Sequence, residues 1–161
     1  MEIKIFTTGG TIDKIYFDQK SRFEVGEPAI NEVLAEANVT VPYQCETLLR
    51  KDSLDLTEAD RQKIYDAVAA DDHRYIIITH GTDTMIQTAQ KLKPLGRDRV
   101  IVLTGSMMPA KFRSTDAEFN IGGAIVAVQV LPPGVYITMN GQIFDPEQTR
   151  KNVELNRFER I

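Results

Sequence analysis

The stretch Tyr75-Ile76-Ile77-Ile78-Thr79-His80-Gly81-Thr82-Asp83-Thr84 decides the fold: a short apolar, largely β-branched run passes directly into a turn of hydroxyls, glycine and a carboxylate. A continuous apolar run of this length, bounded by turn residues, reads as a strand buried on both faces of a parallel sheet. The same pattern opens the chain, where Ile3, Ile5 and Phe6 lead into Thr7-Thr8-Gly9-Gly10-Thr11-Ile12, and it recurs where Val100 to Leu103 exit into Thr104-Gly105-Ser106. Ligands of open parallel sheets bind where the carboxyl ends of strands meet their loops. Two threonine-rich exits on that edge point to one catalytic cleft.

Outward from these strands, helical patterns alternate with extended ones. Ile30, Val33, Leu34 and Ala37 fall at i, i+3, i+4 and i+7, one face of a helix. Val39, Val41 and Thr47 to Leu49 read as extended around Pro42, and Thr57 with Asp60 forms a capping box for a helix carrying Ile64, Tyr65 and Val68. Met85, Ala89 and Leu92 give the next helix its stripe before Pro94 and Gly96 stop it. Ala117, Ile121, Ala124, Ile125 and Val128 mark a further helix, whose Gly122-Gly123 pair would permit close backbone approach, despite a cost of about 1 kcal/mol per glycine. Pro132-Pro133-Gly134 turns the chain into a fourth strand, Val135 to Met139, ending at Asn140-Gly141. Residues 13–27 are polar and read as a long mobile loop, a lid over the cleft. The expected architecture is a single α/β domain over 1–161, a parallel sheet flanked by helices on both faces.

Composition narrows the function. A hydrophobic share of 42% excludes disorder, and a formal net charge of −4 with scattered Lys and Arg argues against a nucleic-acid partner. No segment reaches the roughly 18 apolar residues of a membrane span, and Lys4 and the early glycines interrupt any secretory apolar region, so no membrane partner is expected. Cys45 is the only cysteine, which excludes an intrachain disulfide and makes a reducing compartment, the cytoplasm, the default. Two histidines, His73 and His80, with one cysteine supply no cluster of soft metal ligands.

Each candidate site residue also has a purely structural reading. Gly9-Gly10 makes a tight turn, Thr11 and Thr82 serve as helix caps, and Asp83 favours a helix dipole. No phosphate-binding glycine fingerprint is present, Ser106 lies outside a nucleophile elbow, and His80 reads better as a packed, hydrogen-bonded residue than as a base. What remains is a threonine hydroxyl as nucleophile, which needs a proton relay. Thr82 and Asp83 with Lys151, just beyond the fourth strand, could supply it, and exposed N–H groups at Gly10 and Thr82 could stabilise an oxyanion.

These residues carry a resemblance. Thr8 to Ile12, Asp52-Ser53-Leu54-Asp55-Leu56, His80 to Met85, Thr104 to Pro109, Phe119-Asn120, and Met139 to Gly141 followed ten residues later by Lys151 resemble the successive signature segments of bacterial-type L-asparaginases, in order along nearly the whole chain. The resemblance implies hydrolysis of L-asparagine to L-aspartate and ammonia through an ester on Thr11, with Thr82, Asp83 and Lys151 activating the site and little glutaminase activity. It implies substrate contacts from Gly10, Asp52, Ser53, Gly81 and Ser106, with Asp83 and Asp52 toward the α-amino group and Ser53 toward the α-carboxylate. No metal or organic cofactor is implied.

Two departures accompany the likeness. Family members usually continue into a smaller C-terminal domain, so this chain resembles the N-terminal catalytic domain alone, and a homodimer or homotetramer is expected to cover the surface left bare. The family's lid tyrosine is replaced here by Arg22-Phe23-Glu24-Val25-Gly26, which leaves Tyr16 as the nearest phenol. Two other classes stay open: an asparaginase-like subunit of a tRNA-dependent amidotransferase, and an amino-acid-binding module without turnover.

Overall fold

A computed structural model describes residues 1–161. The chain runs β1 (Ile3–Gly9), β2 (Lys14–Phe17), β3 (Arg22–Val25), α1 (Ile30–Glu36), β4 (Tyr43–Lys51), α2 (Glu58–Ala70), β5 (Tyr75–Thr79), α3 (Met85–Leu92), β6 (Val100–Thr104), α4 (Ala117–Val130), β7 (Gly134–Met139), β8 (Gln142–Phe144), β9 (Thr149–Asn152) and β10 (Arg157–Arg160). Six strands form the central sheet in the order β4-β1-β5-β6-β7-β8. The first five are parallel to their neighbours, with Thr7 opposite Thr79 and Thr79 opposite Thr104. The threonine-bearing exits of β1, β5 and β6 therefore stand side by side on one edge.

Side chains alternate faces along a strand, and this divides the interior into two cores. Phe6, Ile76, Ile78, Ile101 and Leu103 meet Ile64 and Val68 of α2 and Met85, Ala89 and Leu92 of α3. On the opposite face Ile3, Ile5, Ile77, Val100 and Val102 meet Ile30 and Leu34 of α1 and Ala117, Ile121, Ala124 and Val128 of α4. Helices on both faces explain why these strands lack polar alternation. The Thr57–Asp60 capping box opens α2 as expected, with both reciprocal hydrogen bonds formed.

Three expectations need correction. Residues 13–27 are not a plain loop: β2 and β3 pair antiparallel, with Tyr16 opposite Phe23 and their rings edge-to-face at 5.3 Å. The hairpin leaves both faces largely in solvent, so its sequence lacks the apolar/polar alternation of a half-buried pair. Gly122 and Gly123 make no close approach, since a Cβ on either would meet nothing within 4 Å. They lie on the exposed side of α4, beside Phe119, Val126 and Val130.

Thirdly, Asn140-Gly141 does more than end a strand: the expected α/β architecture of a parallel sheet flanked by helices stands, and it gains one antiparallel edge strand. Both residues have positive φ, 54° and 70°, and this tight reversal pairs β8 antiparallel with β7. Beyond it lies a second small hairpin of β9 and β10. Phe158 on β10 is buried against Phe144, and its N–H donates to Asn140 Oδ1 at 2.8 Å. Phe158 is the cross-strand partner of Lys151, so its burial fixes the lysine at the sheet edge.

Candidate active site

The exit of β1 is shaped by two left-handed glycines, Gly9 at φ 96° and Gly10 at φ 88°. A Cβ on Gly9 would lie 2.6 Å from the Lys51 backbone, so β4 presses directly on this turn. Thr11 follows, half-buried, as the first residue of a 3₁₀ turn through Asp13. The turn is tied to its surroundings by three hydrogen bonds: Ala110 N–H to Ile12 C=O at 3.0 Å, Gly26 N–H to Asp13 C=O at 2.8 Å, and Ala29 N–H to Asp13 Oδ1 at 2.8 Å. The Gly10 N–H does not face an oxyanion, because it donates to Lys51 C=O at 2.9 Å.

The exit of β5 carries the charged cluster. Lys151 Nζ donates to Thr82 Oγ1 and to Asp83 Oδ1, each at 2.8 Å. Thr82 is 5% exposed, whereas Asp83 reaches solvent. The expectation that Lys151 returns to the edge holding Thr82 and Asp83 agrees with this geometry, across a separation of 69 residues to Thr82. His80 is fully buried, with Nδ1 2.7 Å from Gly81 C=O and Nε2 2.8 Å from Thr88 Oγ1. Burial pushes its imidazole down to about 4, so it stays neutral, donating from Nδ1–H and accepting the Thr88 hydroxyl proton. It is a scaffold for the loop, as the sequence suggests.

Asp52 and Ser53 lie against this loop. Thr84 Oγ1 donates to Ser53 C=O at 2.8 Å, and a Cβ on Gly81 would strike Ser53 at 2.5 Å. The Ser53 hydroxyl is buried without a hydrogen-bond partner in the protein, an orphan that a ligand could satisfy. Asp52 Oδ1 accepts from Leu54 N–H at 3.1 Å, while Oδ2 is paired with Lys14 Nζ at 2.5 Å. Burial pushes the Asp52 carboxyl up, but the Lys14 and Leu54 hydrogen bonds and the charges of Lys14 and Lys151 outweigh it and hold it below its ordinary value.

Ser106 is buried and spends its hydroxyl on Met108 C=O. Its loop is held by Asp116, which accepts from the N–H groups of Met107 and Met108, and by Asn120 Nδ2, which donates to Gly105 C=O at 2.9 Å. Tyr16 is 51% exposed on the hairpin, and Phe23 beside it touches Phe112 with ring centroids 5.5 Å apart. The hairpin thus contacts the loop that carries Ser106. Sequence reasoning missed Lys14, Asp13 and Asp116. Asp116 had a signal, as the acidic residue directly before the apolar stripe of α4.

No three His, Cys, Asp or Glu side chains converge in a way that could hold a metal ion, and no helix is long and apolar enough to cross a membrane. Hydroxyls backed by a lysine–carboxylate pair at a parallel-sheet edge are the general equipment of enzymes with an alcohol nucleophile. Similarity narrows that class. The family model described as asparaginase, N-terminal, matches residues 2–159, and the chain belongs to the asparaginase family. It is 30% identical over 174 residues to the L-asparaginase of Thermococcus kodakarensis, covering 100% of this chain and 51% of that protein. The solved structure of that thermostable L-asparaginase superposes with a TM-score of 0.86 at 27% identity, over 100% of this chain and 51% of the other. Similarity extends to a glutaminase-asparaginase of Acinetobacter glutaminasificans, 29% identical over 96% of this chain and 50% of the relative. It also includes a glutamyl-tRNA(Gln) amidotransferase subunit of Methanococcus vannielii, 32% identical over 89% of this chain and 35% of the relative. The chain spans about half the length, or less, of these relatives.

Proposed function

We propose that this chain is an amidohydrolase that converts L-asparagine to L-aspartate and ammonia, with little action on L-glutamine. The observation that carries the reading is the position of Lys151 Nζ, 2.8 Å from both Thr82 Oγ1 and Asp83 Oδ1 beside the strand exit that presents Thr11. Thr11 Oγ attacks the side-chain amide carbon and gives its proton to Thr82 Oγ1. Thr82 in turn passes its own hydroxyl proton on to the departing amide nitrogen, while Lys151 Nζ, held by Asp83, donates to Thr82 Oγ1 and stabilises that oxygen during the transfer. The tetrahedral intermediate expels ammonia, which takes up a proton from this relay, and leaves a β-aspartyl ester on Thr11. Water, activated by the same groups, then cleaves the ester and restores the threonine. The Thr82 N–H, which has no backbone partner, is the donor available for the oxyanion.

Asp83 and Asp52 hold the α-amino end, Ser53 offers its unpartnered hydroxyl to the α-carboxylate, and Gly10, Gly81 and Ser106 line the site through their backbone. Tyr16 supplies a phenol from the hairpin. The domain works without a metal, as a homodimer or homotetramer in the cytoplasm. Similarity to an amidotransferase subunit supports a second reading, in which ammonia passes to a partner. One assay separates them: ammonia release from L-asparagine and L-glutamine by the purified chain alone, with Thr11→Ala as control. Release from L-asparagine supports the hydrolase, and its absence without a partner protein sinks it.

A further inference from the structure

A free amino acid carries an ammonium and a carboxylate on one carbon, so a site that selects it must offer both signs of charge at close range. Lys151 is engaged in the relay, its Nζ donating to both Thr82 and Asp83. A polar cavity of about 480 Å³ opens beside Asp52, between the β2–β3 hairpin and the end of β4, and four cations line it: Lys14, Arg22, Arg50 and Lys51. Arg22 is bound to Glu24, Arg50 is bound through two hydrogen bonds to Glu27, and Lys51 is bound to Asp60. Lys14 alone is paired with a residue proposed to hold substrate, its Nζ lying 2.5 Å from Asp52 Oδ2.

We infer that Lys14 is a specificity-determining residue that binds the substrate α-carboxylate, and that the incoming zwitterion splits the Lys14–Asp52 ion pair. The ammonium of the substrate takes the place of Lys14 at Asp52 Oδ2, and the freed lysine receives the carboxylate. The net charge of the site is unchanged by the exchange, and no charge is left unpaired on the way to binding. Both side chains are 26% exposed, so the pair is accessible from the cavity. Asp52 is fixed through its other oxygen by Leu54 N–H, which keeps Oδ2 as the exchangeable position. Lys14 is indexed to the nucleophile: its own N–H donates to the Thr11 carbonyl, closing the 3₁₀ turn. The substrate class that follows is an α-amino acid with a free α-carboxylate, to the exclusion of asparagine esterified, amidated or embedded in a peptide.

The assignment rests on the amidohydrolase reading for its kinetic test. L-asparagine and its α-methyl ester are compared on the wild type, Lys14→Met and Lys14→Arg. Lys14→Met is expected to raise KM for L-asparagine about tenfold, with kcat within about threefold and the methyl ester unaffected, and Lys14→Arg to restore most of the loss. An unchanged or lowered KM in Lys14→Met overturns the assignment, since the lysine then only occupies Asp52. An equal rise for both compounds also overturns it and makes Lys14 a fastener of the hairpin. A binding arm keeps this separate from turnover: L-aspartate should raise the thermal midpoint of the wild type and fail to do so in Lys14→Met. If the wild type releases no ammonia, the hydrolase reading falls while the binding arm still decides Lys14. Absence of L-aspartate stabilisation in the wild type counts against the assignment.

Discussion

Gly10 and Gly81 stand back to back, so close that a Cβ on Gly10 would come within 2.5 Å of both the Cα and the N of Gly81. The loops that follow β1 and β5 are thus packed main chain to main chain, which their parallel register, Thr7 opposite Thr79, makes possible. Gly10→Ala combines this clash with a φ of 88°, which an L side chain adopts only under strain. We expect a loss of more than about 2 kcal/mol and a collapse of ammonia release. Urea unfolding followed by circular dichroism measures the first. Unchanged stability would show that the two loops separate without cost.

Thr11→Ala is expected to abolish turnover while changing stability by less than about 1 kcal/mol, because it removes a hydroxyl from a half-buried turn position rather than from a core. Thr82→Val and Lys151→Met should each lower kcat by about 100-fold or more. Lys151→Met removes the group that holds both Thr82 and Asp83, so its effect should not add to that of Thr82→Val in the double variant. Full additivity would mean that the two residues do not act as one relay.

The central sheet is legible in the sequence because its strands are buried on both faces, which leaves Ile76 to Ile78 and Val100 to Leu103 as plain apolar runs between turns. The placement of Lys151 is less legible. No spacing rule brings it to Thr82; the burial of its cross-strand partner Phe158 and the Asn140 hydrogen bond do. The β2–β3 hairpin escapes a reading based on burial because its pairs, such as Ile15 with Glu24 and Phe17 with Arg22, leave no single apolar face. The Lys14–Asp52 pair joins two segments through tertiary geometry alone. Gly122 and Gly123 mislead in the opposite sense, since a Gly-Gly pair suggests contact where the helix has open space.

That open space makes Gly122→Ala and Gly123→Ala stabilising. Each replaces a mid-helical glycine on the exposed side of α4, where the added methyl meets nothing within 4 Å. A gain of about 0.5–1 kcal/mol apiece is expected from helix propensity, read as a higher urea midpoint at unchanged m-value. A loss would reveal a neighbour seated on that face in solution.

Asp13 sets a pH dependence on folding. Burial pushes its carboxyl from 3.8 up to about 7, against the opposing pull of the Ala29 N–H and the charge of Arg50. Because the folded value lies above the unfolded one, the stabilisation is fully present below 3.8 and is lost as pH rises through about 7. Asn at this position keeps an acceptor for Ala29 N–H and does not titrate. Asp13→Asn should therefore match the wild type near pH 3.5 and exceed it near pH 8 by up to roughly 4 kcal/mol, the figure set by the width of the interval between the two values. Urea midpoints at the two pH values check this. Parallel pH profiles for the two proteins would remove Asp13 as the titrating group.

Tyr16 is the remaining test of how the hairpin takes part in the reaction. It is 51% exposed and edge-to-face with Phe23, itself in contact with Phe112, so its ring has a packing role at the hairpin surface already. A chemical role requires its hydroxyl to reach Thr11 when the hairpin closes on substrate, and a separation of five positions places it within range of a folded-back strand at about 3.3–3.6 Å per extended residue. Tyr16→Phe removes only the hydroxyl and keeps the ring contacts. A fall in kcat of about 10-fold or more, with the thermal midpoint unchanged, is the expected outcome. Unchanged turnover would confine Tyr16 to packing against Phe23 and leave Thr82, Asp83 and Lys151 as the whole of the machinery that activates Thr11.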